Sequence, residues 1–235
     1  IPEPVEPEEG IKFIEYVIED NNLKGATYQI TKDSPNIEPG GATERLSFKF
    51  TIDLDYKITA FKEVWYKHTA GGFKVQTIAF LESIVGKTIN EVSNITLVDG
   101  ETGATNSKNG IIGLIKELEN YLEDNPLTLD PIVKEVEENV YNVKKLAFYF
   151  RNYGYLSYNV TLNETGEIVS YDEVSYGHSE GNWKDIATAY FDSLVGKNID
   201  DINHDLTDGQ TGATNSSKTI RDMLIALANF IKEGE

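Results

Sequence analysis

The sequence predicts an α+β protein built as two tandem copies of a small domain, each an antiparallel sheet with helices packed against it. Three observations carry that expectation. Residues 46–87 align without a gap on residues 156–197, and fifteen of the 42 positions are identical. The identities include Leu46/Leu156, Ser47/Ser157, Glu63/Glu173, Tyr66/Tyr176, His68/His178, Gly71/Gly181 and Lys74/Lys184. A period of that length is too long for a solenoid and marks a duplicated domain. Strand-type alternation opens each aligned block, and helix-type periodicity follows it.

The elements follow in chain order. The opening "IPEPVEPEEG" is rich in Pro and Glu and lacks the basic and apolar regions of a signal peptide. It reads either as a self-repelling tether or as a frayed terminus. Residues 1–23 are accordingly read as tether and lead-in, 24–125 as the first domain and 126–235 as the second. "IKFIEYVIED" and residues 131–147 open the two copies and fit helix or strand equally well. "LSFKFTIDLDYKITAF" alternates apolar and polar residues through Leu46, Phe48, Phe50, Ile52 and Leu54, as a half-buried strand does. Its counterpart carries the hairpin turn Asn163-Glu164-Thr165-Gly166. "FKVQTIAFLESIVGK" and "WKDIATAYFDSLVGK" read as helices closed by Gly86 and Gly196. A second helix ends each copy. Its apolar face is Ile111, Ile112, Leu114, Ile115, Leu118, Tyr121 and Leu122 in the first copy, and Ile220, Met223, Leu224, Leu227, Phe230 and Ile231 in the second. The boundary falls in "EDNPLTLDP", where two Xaa-Pro steps punctuate the chain.

Composition narrows the function. The 235 residues, 40% of them hydrophobic, suffice for two cores. Against 39 acidic residues stand 21 basic ones, a net charge of −18. No general positive field exists to draw nucleic acid or an anionic membrane surface. The absence of cysteine removes disulfides, thiolate catalysis and Cys-ligated metals, and His68, His178 and His204 make no recognisable metal motif.

The chemistry concentrates in one stretch spelled twice. Asp99–Ser107 reads DGETGATNS and Asp208–Ser216 reads DGQTGATNS, eight matches in nine. Asp-Gly starts a tight turn, and Thr102 or Thr211 adds a hydroxyl. Gly103-Ala104 and Gly212-Ala213 let the backbone approach a partner, and Thr105 or Thr214 follows where a helix opens. A helix start carries unpaired amides and the positive end of the dipole, a seat for phosphate. A threonine there can hydrogen-bond a phosphate or be esterified by one. The alternative is that Asp, Thr and Ser are helix N-caps. A cap needs one such residue, however, and leaves the near-identity of the copies unexplained. Gly25-Ala26-Thr27 and Gly41-Ala42-Thr43 spell GAT without the preceding Asp-Gly-x-Thr or a following helix, and are read as loop or strand.

With a preceding hairpin and a "VGK"-ended helix, this motif resembles the FMN-binding domain family, which includes the FMN subunits of the Rnf and sodium-pumping NADH:quinone oxidoreductase complexes. The resemblance covers roughly residues 24–122 and 140–233. It implies two covalent FMN groups, esterified through phosphate to Thr105 and Thr214 by a magnesium-dependent flavin transferase that uses FAD. Asp99, Thr102, Gly103, Ala104 and Ser107 would form the recognition and phosphate-contact turn of one copy, and Asp208, Thr211, Gly212, Ala213 and Ser216 that of the other. "YKHTAGGF" and "YGHSEGNW" stand where the family places a polar stretch beside the flavin ring, and depart from its commonest spelling. His68 and His178 are the candidate flavin contacts there, with a satisfied structural histidine as the alternative. Tyr66 and Tyr176 are read as packing residues.

The acidic, cysteine-free tandem form is similar to surface flavolipoproteins of Gram-positive extracellular electron transfer. That likeness implies a lipid-anchored, extracellular, monomeric carrier with no metal of its own, relaying electrons from a membrane NADH or quinol reductase to extracellular acceptors such as iron. No nucleic-acid partner is expected. A flavin-dependent reductase acting on a small organic acceptor and a surface adhesion or signalling module are the alternatives. About 110 residues per copy leave no room for a larger FAD domain, which speaks against the reductase, and the twin motif speaks against the adhesion module.

Overall fold

Alternating apolar residues and two-residue turns set the architecture, which the computed structural model describes for residues 5–35, 43–68, 71–97, 104–149, 151–202 and 214–234. The chain divides into two units, Ile1–Leu127 and Thr128–Glu235. The first holds β1 (Gly10–Glu19), β2 (Asn22–Pro35), β3 (Thr43–Asp53), β4 (Ile58–Tyr66), α1 (Gly72–Ile84), α2 (Ile89–Ser93) and α3 (Thr105–Asp124). The second holds β5 (Ile132–Glu137), β6 (Val140–Tyr149), β7 (Asn152–Leu162), β8 (Ile168–Tyr176), α4 (Asn182–Asp192) and α5 (Thr214–Gly234). The protein is α+β, with one four-stranded antiparallel sheet per unit, ordered β1-β2-β3-β4 and β5-β6-β7-β8.

The segments that fitted helix or strand alike are the paired strands β1 and β5-β6. Their turns explain the outcome. Asp20 and Asn21 both have positive φ between β1 and β2, as does Asn139 between β5 and β6, the geometry that continues the twist of a tight hairpin. Ahead of β1, the Pro7 carbonyl accepts from Arg45 on β3 at 3.0 Å.

The duplication extends to irregularities. The β3-β4 register shifts at Ser47/Phe48 and Thr51/Ile52, and the β7-β8 register shifts at the matching Ser157/Tyr158 and Thr161/Leu162. The hairpin turns match as well. Asn163 Oδ1 accepts from the amides of Thr165 and Glu167, as Asp53 Oδ1 does from those of Asp55 and Lys57. Gly166 has φ 79°, and its counterpart Tyr56 has φ 58°. The expected strand residue Leu54 therefore lies in a turn, 39% exposed, because this Asx turn ends β3 at Asp53. Gly166→Ala is expected to lower the stability of the second unit by about 1–2 kcal/mol, because alanine gains a clash in that region. A urea titration checks it.

Leu46, Phe48, Phe50 and Ile52 are fully buried, as are Ile111, Leu114, Ile115 and Leu118 of α3. The helix approaches closely at Gly110, where a Cβ would stand 2.6 Å from Leu46 Cδ1. In the second unit α5 contributes Ile220, Met223, Leu224 and Leu227 to one cluster with Val143, Leu156, Tyr158, Val160 and Phe191. Phe230, read as core, is 41% exposed and instead meets Tyr141 edge-on at 6.3 Å. Helix α1 stops at Ile84 and α4 at Asp192, before Gly86 (φ 89°) and Gly196 (φ 83°). Among the described residues, no helix is long and apolar enough to cross a membrane.

Candidate functional site

Both candidate threonines are the first residue of the helix that closes their unit, Thr105 in α3 and Thr214 in α5. Each is partly exposed. The first intrahelical bond of α3 runs from the Lys108 amide to the Ala104 carbonyl at 3.0 Å. The amides before it have no partner within the helix by construction. The first turns of α3 and α5 hold no acidic residue, in a chain with 39 of them. A carboxylate-free helix start is suited to an anion.

The N-cap position of α3 itself falls on neither Thr105 nor Ser107. The residue at its N-cap is Ala104, in the left-handed region at φ 62°, whose methyl makes no capping bond. This chain builds a true cap elsewhere: Thr88 accepts from the Glu91 amide while Glu91 accepts from the Thr88 amide at α2. Asp99, Thr102, Gly103, Asp208, Thr211, Gly212 and Ala213 lie outside the described residues, as does His204.

The structure brings the motif serine and the matched histidine together, once per unit. His68 Nδ1 lies 3.1 Å from Ser107 Oγ, and His178 Nδ1 lies 3.0 Å from Ser216 Oγ. Tyr66 and Tyr176, assigned to packing from the sequence, donate their hydroxyls to the same serines at 3.2 Å. Two more internal identities stand behind the tyrosines. Lys74 bonds Glu63 at 2.8 Å and lies 4.9 Å from the Tyr66 ring centre. Lys184 bonds Glu173 at 2.6 Å and lies 4.9 Å from that of Tyr176.

Proton placement in the first clasp follows from its acceptors. His68 Nε2 meets the Glu44 carbonyl at 3.2 Å, which can only accept, so Nε2 carries the proton. Nδ1 then accepts from Ser107, whose oxygen accepts from Tyr66. Burial holds the His68 imidazole below its ordinary range, which keeps this neutral form. Ser107 is only 3% exposed and His68 6%, so the pair offers no nucleophile to a substrate.

The second clasp differs on its far side. His178 Nε2 is buried with no hydrogen-bond partner among the described residues, and the ring stacks on Tyr149 at 4.8 Å. Burial pushes its pKa down to about 4, and the Gly154 and Ala147 carbonyls, outside hydrogen-bond geometry, do not offset this.

Comparison with known proteins adds no relative. The chain matches no protein-family model, no curated protein and no solved structure. Its site is therefore read on its own chemistry.

Proposed function

We propose that this protein is an electron carrier bearing two FMN groups, each joined through its phosphate to a threonine, Thr105 in the first unit and Thr214 in the second. The observation that carries this reading is the pair of matched helix starts: a partly exposed threonine at the first helical position and a first turn free of carboxylates. This donor set fits a phosphoester, since a hydroxyl supplies the bond and first-turn amides favour the remaining negative charge. Bound flavin would supply the electron-transfer chemistry, because no side chain here is redox-active at ordinary potentials. The protein's own residues would hold the phosphate at the helix start and keep the cofactor from diffusing away.

In this reading a magnesium-dependent flavin transferase installs the groups from FAD. A membrane NADH or quinol reductase donates electrons, and extracellular acceptors such as iron receive them. The high negative charge disfavours loose capture of free flavin phosphates and gives covalent attachment a purpose.

Intact mass after incubation with an active transferase, FAD and magnesium tests the reading. Two FMN additions, each less one water, are expected on the full chain. Thr105→Ala and Thr214→Ala should each lose one addition, and the double variant both. An unmodified chain, beside a control substrate that is modified, sinks the proposal.

A further inference from the structure

Glu63, Lys74, Tyr66, His68 and Ser107 converge in one unit, and Glu173, Lys184, Tyr176, His178 and Ser216 do so in the other. All four pairs outside the motif are identities that the hydrophobic cores do not require. The serine lies in the same helical turn as the threonine, two residues on. It ties that turn to the end of β4 or β8 through one buried and one part-buried bond.

A second feature falls at the same place. Among the described residues, six non-glycine residues have positive φ: Asp20, Asn21, Tyr56, Ala104, Asn139 and Arg151. Five lie in turns between strands, where that geometry closes a hairpin. Ala104 alone precedes a helix, with no polar side chain to reward the conformation, so the surrounding structure must hold it. The serine clasp is a tie that the structure provides to this turn.

We propose that Tyr66 and His68, acting through Ser107, and Tyr176 and His178, acting through Ser216, are positioning residues for esterification of Thr105 and Thr214. This rests on the flavin-attachment reading above. In the step they serve, threonine Oγ forms a bond to the FMN-side phosphorus of FAD. The phosphorus–oxygen bond to the AMP half breaks, AMP leaves, and the threonine proton passes to a base of the transferase. No electron changes hands. The clasp touches none of the reacting atoms. It fixes the turn so that the hydroxyl is presented in one direction, and positional loss of this kind lowers rate rather than affinity.

The test uses the full chain carrying Thr214→Ala, so that only the first unit reacts. The rate of FMN mass gain is followed against chain concentration for this parent, then with Tyr66→Phe and with Ser107→Ala added. Trp65 fluorescence, read with Trp183→Phe also in place, reports folding of the same unit. A fall in maximal rate of roughly ten- to a hundredfold, with unchanged half-saturating concentration and a folded unit, is expected. Maximal rates equal to the parent's in both folded variants overturn the inference. A slow rate restored by sucrose also overturns it, because stability would then be the cause. A parent that gains no mass beside a modified control fails the underlying reading as well, and so is distinguishable from failure of the clasp alone.

Discussion

Acidification is expected to weaken the second unit by roughly 3 kcal/mol between pH 6.5 and about 4. The cause is His178, whose pKa is pushed down to about 4 by burial, against 6.5 for a free imidazole. Because the folded value lies below the unfolded one, the unfolded chain binds the proton first. The stabilisation is complete above 6.5 and is lost as the pH falls toward 4. The groups facing the ring, Ser216, Tyr176, Tyr149 and the Gly154 and Ala147 carbonyls, include no carboxylate to receive the imidazolium. Each unit has one tryptophan, Trp65 or Trp183, so urea midpoints read by Trp183 in a Trp65→Phe chain isolate the second unit. His178→Gln should flatten the dependence across that interval. Equal slopes with and without the substitution would sink the assignment. The first unit shifts in the same sense, since burial lowers the His68 pKa and the hydrogen bond from Arg45 lowers that of Asp33.

Phe191→Ala is expected to cost the second unit roughly 3–5 kcal/mol, enough to unfold much of it while the first stays folded. Phe191 is fully buried on α4, stacked on Tyr171 at 3.9 Å and edge-on to Tyr158 at 5.0 Å. Truncation leaves a cavity between helix and sheet that two rings cannot both fill. The matching position in the first unit is Leu81, also fully buried, so Phe191→Leu should cost far less. Thermal scans that follow Trp65 and Trp183 separately decide it, and a single transition shifted equally in both probes would contradict independent units.

What the sequence reveals about this protein depends on how far apart the cooperating residues lie. Leu46 to Ile52 announce a strand because alternation is local, and Ile111 to Leu122 announce a helix because its period is local. Helix and strand stay undecided for residues 11–20 because several apolar residues in succession satisfy either period, and only pairing with β2 decides. The Tyr66–Ser107–His68 clasp joins residues about forty positions apart, and no periodicity encodes that. Its trace was present as identities at Glu63/Glu173, Tyr66/Tyr176 and Lys74/Lys184, polar pairs that neither a half-buried strand nor the helix after it needs. The difference between His68 and His178 was not visible at all. It depends on whether one backbone carbonyl comes within reach of Nε2, Glu44 in the first unit and Gly154 in the second.

Neighbouring strands in both sheets are also neighbours in sequence, and each sheet is completed before its closing helix is reached. Most pairing is therefore low in contact order, and hairpins can assemble as the chain emerges during synthesis. The helix bearing the duplicated motif is the last segment of its unit to appear, and it is the one that seals the apolar face of the sheet. A ribosome-bound or truncated chain lacking α3 or α5 would hold a meander with its greasy side open, and without the threonine. Presence of that hydroxyl in its helical setting thus reports that the unit around it has finished folding.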